Sequence, residues 1–101
     1  MICPTYNLFF ETIAHELRMK MLFALKTNPM SVTDLVNFLD EEQSKVSHNL
    51  KRLMDCRFVT VKQDGKKRIY SLNKETVEPL LSLAEKHVQQ FCDKNCGRIK
   101  K

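Results

Sequence analysis

Apolar and polar positions along the chain change period once, near residue 57, and return to the first period near residue 76. Before the change the spacing is helical. Leu8, Phe9, Phe10 and Ile13 cluster on a short helix after Pro4-Thr5. Leu17, Met21, Leu22 and Leu25 then mark a helix from Glu16 to Lys26, which Asn28-Pro29 stops. Val32, Leu35, Val36 and Leu39 form the stripe of a third helix. Ser31 is its expected N-cap, and Asp34 at the third helical position suits the helix dipole. Val46, Leu50, Leu53 and Met54 define one face of a fourth helix, and Ser44, Ser47, His48, Lys51 and Arg52 occupy the other. A tight acidic turn, Asp40-Glu41-Glu42, separates the third helix from the fourth. Asp40 is the expected cap of the fourth, with Gln43 reaching back to complete a capping box.

The segment Phe58-Val59-Thr60-Val61-Lys62 is β-branched and aromatic, and Lys66 to Leu72 returns after Asp64-Gly65, a strong hairpin signal. The helical period resumes with Val77, Leu80, Leu81, Ala84, Val88, Phe91 and Cys92. That spacing predicts one helix from Thr76, its N-cap, to about Cys96, stopped by Gly97, with Pro79 harmless in the first turn. The fold class is therefore mainly α with a small β-hairpin, in the order α-α-α-α-β-β-α. Two short helices joined by a tight turn and followed by a ribbon make a winged helix-turn-helix. Residues 1–97 form one domain that includes both terminal helices, and 98–101 are a frayed basic tail. The last helix is long for so small a domain to cover. Phe9, Ile13, Leu80, Leu81, Ala84, Val88 and Phe91 are accordingly expected to pair with a second copy in a homodimer.

Charge sharpens this outline. The 101 residues carry 17 Lys+Arg and 12 Asp+Glu, a formal charge of +5. Residues 43–70 hold eight basic residues against two acidic ones, a local +6, and the rest of the chain is close to neutral. A basic surface so localised is the footprint of a polyanion, and a solvated lysine-rich face is the alternative. On a helix-turn-helix, double-stranded DNA is the polyanion. Gln43, Ser44, Ser47 and His48 stand where the start of a recognition helix meets base edges; Lys51, Arg52, Lys66, Lys67 and Arg68 would take phosphates.

No run of apolar residues is long enough for a membrane span, and the opening Met1-Ile2-Cys3-Pro4 does not read as a secretory signal. The expected location is the cytoplasm, with Cys3, Cys56, Cys92 and Cys96 as reduced thiols. Cys92 and Cys96 stand one helical turn apart. With Cys3 they could hold a soft metal ion through three thiolates; otherwise Cys92 belongs to the apolar stripe and Cys96 is a terminal thiol. Oxidation of these thiols competes with metal as their chemistry. Cys56 is expected to pack. Nothing supports catalysis: His15-Glu16 lacks the continuation of a zinc-protease helix, and there is no glycine-rich phosphate loop. Two function classes remain, a sequence-specific DNA-binding regulator and a winged helix that binds other proteins.

Four stretches, Ala14-His15-Glu16-Leu17-Arg18, Ser31-Val32-Thr33-Asp34-Leu35, Gln43 to Leu50 and Asp64 to Leu72, resemble the ArsR/SmtB family of winged-helix repressors, in order and at that family's spacing. The resemblance implies a homodimer paired through its first and last helices, a helix from about Gln43 to Asp55 in the major groove, and release from an inverted-repeat operator by an inducer, often a metal ion. The chain departs from the family at both usual metal sites. Ser31 and Thr33 stand where one site has cysteines. The positions of the other read Lys74, Thr76, His87 and Gln90, of which only His87 keeps a metal-binding side chain.

Overall fold

The computed structural model describes residues 6–92, with the side chain of Cys92 excepted. Five α-helices and one hairpin follow each other as α1 (Tyr6–Ile13), α2 (Glu16–Thr27), α3 (Val32–Leu39), α4 (Gln43–Asp55), β1 (Val59–Asp64), β2 (Lys67–Leu72) and α5 (Val77–His87), and a π-helical turn covers Val88–Cys92. The order is the one the periodicity predicts. Its core is made by the faces that the pattern marks as apolar. Met21, Leu22 and Leu25 of α2, Leu35 of α3, and Val46, Leu50 and Leu53 of α4 are all buried, with Phe58, Val59, Tyr70 and Leu72 of the hairpin region closing over them.

Local chemistry sets the helix ends. Ser31 caps α3: its Oγ accepts from the Asp34 amide at 3.1 Å, and Asp34 Oδ2 accepts from the Ser31 amide at 3.1 Å. This reciprocal box holds the Asp34 carboxyl below the usual carboxylate range, chiefly through the Ser31 backbone amide, then its hydroxyl, with a smaller contribution from Lys67. The expected cap of α4 does not form. Asp40 ends α3 instead, in the left-handed conformation at φ 56°, which aspartate tolerates better than most residues. Glu42 stands at the N-cap of α4 without a side-chain hydrogen bond, and Gln43 is exposed rather than folded back. At the other end of α4 the Arg57 amide donates to Met54 O and the Phe58 amide to Leu53 O, at 3.0 and 2.9 Å, the paired bonds of a Schellman motif. Arg57 takes the left-handed position there at φ 66°, where glycine is the usual residue.

The two strands pair antiparallel from Val59↔Leu72 to Asp64↔Lys67. The turn is therefore Gly65-Lys66, one residue later than Asp64-Gly65. Gly65 at φ 64° takes the first central position, as a type II′ hairpin requires. Met30 pins the hairpin to the α2–α3 connection: its amide donates to Tyr70 O at 3.0 Å, and the Tyr70 amide donates to Met30 O at 2.8 Å.

The last helix departs most from expectation. Thr76 makes no side-chain cap; Asn73 does that work, its Oδ1 accepting from the amides of Glu75 and Thr76 and its carbonyl from those of Val77 and Glu78. Regular α-helix ends at His87, where the ladder widens into the π turn. Val77 and Leu81 are buried in the chain's own core, and every residue from Ser82 to Phe91 is exposed. Leu81 is thus a core residue and not part of a surface for a partner. Cys96, Gly97 and the basic tail 98–101 lie outside the described residues, as does Cys3.

Candidate DNA-binding interface

Helix α4 is amphipathic, and its burial fixes which side can meet a ligand. Val46, Leu50 and Leu53 turn inward at no more than 1% exposure, so Gln43, Ser44, Ser47, His48, Lys51 and Arg52 must turn outward, and all six are exposed. The hairpin alternates in the same way. Tyr70 and Leu72 face the core, and Arg68, two residues before Tyr70, continues that side beyond the core edge. Arg68 and Tyr70 consequently meet Ser47 and Lys51 of α4 and Val32 of α3 around a cleft of about 290 Å³, which Met54 and Asp55 complete. The structure thus joins three of the sequence-picked residues, Ser47, Lys51 and Arg68, in one recess. Gln43 and Ser44 lie at the exposed start of α4. Lys66 and Lys67 are exposed at the hairpin tip, apart from that recess.

Such a surface offers short polar side chains flanked by cations. A helix of this kind fits the major groove, which is about 12 Å wide, with hydroxyl, amide and imidazole groups at base edges. Cations around such a helix can neutralise phosphates, contacts that position a protein without specifying sequence.

Two residues that matter to α4 escaped sequence reasoning. Asn49, 7% exposed, sits on its inner side, and Arg18 of α2 reaches it: Arg18 Nε donates to Asn49 Oδ1 at 2.9 Å. The signal available in the sequence was a single polar residue, Asn49, inside an apolar stripe, which by itself names no partner.

The residues expected at a dimer seam divide. Phe9 and Ile13 are half-buried against their own core, Phe9 edge-on to Phe58 with centroids 5.1 Å apart. Leu80 is half-buried, and Ala84, Val88 and Phe91 are exposed. Tyr6 and Phe10 of α1 and Leu83 of α5, which the stripe did not include, are 85%, 54% and 66% exposed.

Of the thiols, Cys92 ends the π turn and Cys56 is half-buried beside the core. Among the described residues no three His, Cys, Asp or Glu side chains are grouped to hold a metal. The Ser31 hydroxyl is engaged in the α3 cap. Among the described residues, too, no helix is long and apolar enough to cross a membrane.

The sequence model described as "Bacterial regulatory protein, arsR family" matches residues 15–61, the span from the start of α2 into β1. The arsenical resistance operon repressor of Bacillus subtilis (strain 168) is 33% identical over 78 residues, covering 76% of this chain and 74% of its own. A probable mercury resistance operon repressor of Streptomyces lividans is 33% identical over 76 residues, covering 75% of this chain and 61% of its own. Among solved structures, the crystal structure of Mycobacterium tuberculosis Rv0081 superposes with a TM-score of 0.81 at 30% identity, covering 93% of this chain and 98% of that one. The chain belongs to the ArsR family of bacterial regulatory proteins, and it is a winged-helix, DNA-binding transcription regulator, not an enzyme.

Proposed function

We propose that the protein is a repressor that binds an inverted-repeat operator as a homodimer, with the outward face of α4 in the major groove and the hairpin on the flanking backbone. The observation that carries this reading is the recess in which Ser47 and Lys51 of α4 meet Arg68 of β2, because it sets a base-reading face and a wing cation side by side. Gln43, Ser44, Ser47 and His48 read bases; Lys51, Arg52, Lys66, Lys67 and Arg68 hold phosphates. The second copy packs on the exposed apolar side chains of the terminal helices: Tyr6 and Phe10 of α1, with Leu83, Val88 and Phe91 following the buried part of α5.

Selection of bound DNA from a random pool tests the reading. A dimer selects two half-sites about 34 Å apart, one helical turn. Its affinity falls with salt at a log–log slope of about 0.9 per phosphate neutralised. Selection of no motif, or a flat salt response, would overturn it.

A second reading concerns the inducer. Both usual donor sets are disabled here, one by Ser31 and Thr33 and the other by Lys74, Thr76 and Gln90, and Ser31 is committed to a helix cap. The relatives named for arsenical and mercury resistance point to soft ions. Cys92 and Cys96, with Cys3, are the thiols proposed to take such an ion. Thiolate ligands must lose protons, so binding tightens as pH rises through the thiol range. Replacement of Cys92 and Cys96 by Ser should abolish release of DNA by As(III) or Cd(II). Release that persists unchanged would remove these cysteines from the site.

A further inference from the structure

Arg18 of α2 makes two bonds that reach other helices. Its Nη1 donates to the carbonyl of Thr12 at 2.7 Å, and its Nε donates to Asn49 Oδ1 at 2.9 Å. Thr12 O lies in the last turn of α1. Asn49 is in turn locked to its helix, since its Nδ2 donates to Lys45 O at 2.8 Å. Both amide groups of Asn49 are thereby engaged. One guanidinium therefore ties the end of α1 to the middle of α4. A planar fork can hold two acceptors in fixed directions at once, and a lysine ammonium on a flexible stem cannot hold that geometry.

The two helices it joins have different tasks. Helix α1 presents Tyr6 and Phe10 outward, and α4 presents Ser44, Ser47 and His48 outward from the side opposite Asn49. We infer that Arg18 is a positioning residue that fixes the roll of the reading helix against the helix of the dimer seam, and so sets the half-site spacing that the dimer accepts. The inference rests on the dimeric, operator-binding reading above. The Arg18 charge is not spent on DNA, because its fork points inward to Thr12 and Asn49. Lys51 and Arg52 of α4 are instead exposed cations of the reading helix.

The test uses the full chain and two DNA duplexes, the inverted repeat that the wild type selects and the same repeat with one base pair inserted between half-sites. The quantity read is the ratio of the two affinities, together with dimer mass and thermal melting. Arg18→Gln should lower the ratio about tenfold, within the usual range of coupling between sites. Arg18→Lys should fail to restore it, and Asn49→Ala, which cuts the same bridge at its other end, should add little to Arg18→Gln. Lys51→Ala, in contrast, should weaken both duplexes alike and leave the ratio intact. A folded Arg18→Lys or Arg18→Gln dimer with the wild-type ratio overturns the inference. So does unfolding of all three bridge variants, since the bridge would then serve the fold and not the register. A wild-type protein that binds both duplexes equally overturns the dimeric reading itself, and Arg18 as a spacing device falls with it.

Discussion

The two ends of this small molecule leave opposite kinds of surface. Around α4 and the hairpin most apolar side chains belong to the core, with Met54, Val61 and Ile69 half-buried at its edge, and the exposed side chains are hydroxyl, amide, imidazole and cation with a few carboxylates such as Asp55 and Asp64. Along α1 and from Leu83 of α5 through the π turn, large apolar side chains stay exposed among the polar ones. Tyr6, Phe10, Leu83, Val88 and Phe91 remain in water, although each would gain by burial. A reading surface must be polar, because bases and phosphates are recognised by hydrogen bonds and charge. A surface for a second copy of the chain is apolar, because non-directional burial is what drives permanent association. The contrast is the one that the proposed homodimer requires: a core closed near the centre of the chain, and apolar side chains left exposed on its terminal helices.

Two leucines of α5, Leu81 and Leu83, give the sharpest way to break this contrast. Leu81→Glu puts a carboxylate into the protomer core at a cost of at least about 3 kcal/mol, so the chain should unfold by circular dichroism. Leu83→Glu, on a residue 66% exposed, should leave the helical signal intact and shift the mass in sedimentation from dimer to monomer. Equal behaviour of the two variants would erase the boundary drawn between core and seam.

At the polar end, joint neutralisation of Lys66, Lys67 and Arg68 should lower the salt slope by up to about three units, one for each phosphate lost, in binding titrations at several salt concentrations. Sequence preference should survive, because α4 is untouched. Ser47→Ala and His48→Ala should do the converse, changing the selected motif with little effect on the slope. Loss of preference from the wing variant would assign base reading to the hairpin instead.

The smallest expected effects are in the supports of the reading helix. Ser31→Ala removes the α3 cap and should cost about 1 kcal/mol in a denaturant titration. It should also flatten the acid limb of stability. Asp34 titrates below its unfolded value, so its contribution is present above the ordinary carboxylate range and is lost as pH falls through the lowered folded value. Without Ser31 that loss has less to remove. Arg57→Gly relieves a left-handed residue at the end of α4, with an expected net gain below about 1 kcal/mol, since glycine also loosens the unfolded chain.

Much of this was written in local pattern. The Ser31–Asp34 box, the apolar face of α4, the outward placement of Ser44, Ser47, His48, Lys51 and Arg52, and the basic hairpin all follow from spacings of two to four residues. Such spacings belong to the helix or strand itself and need no neighbour to define them. Asp40 ends α3 instead of capping α4, and Thr76 stands at the N-cap of α5 but leaves the capping bonds to Asn73, because both outcomes depend on how the chain enters and leaves a turn. Asp40 was already taken by the left-handed end of α3.

Only the tertiary structure decided the rest. Periodicity says that Val77, Leu81 and Val88 share an apolar stripe, but not where along α5 the protomer's core stops; packing places that limit at Leu81, and the remaining stripe becomes surface. Nor could spacing pair Arg18 with Asn49, 31 residues apart, because hydrogen-bond partners between helices are set by how those helices cross. The sequence by itself determined the elements and which side of the reading helix faces out. The fold determined how that helix is held against its neighbours, since that depends on contacts no single element contains.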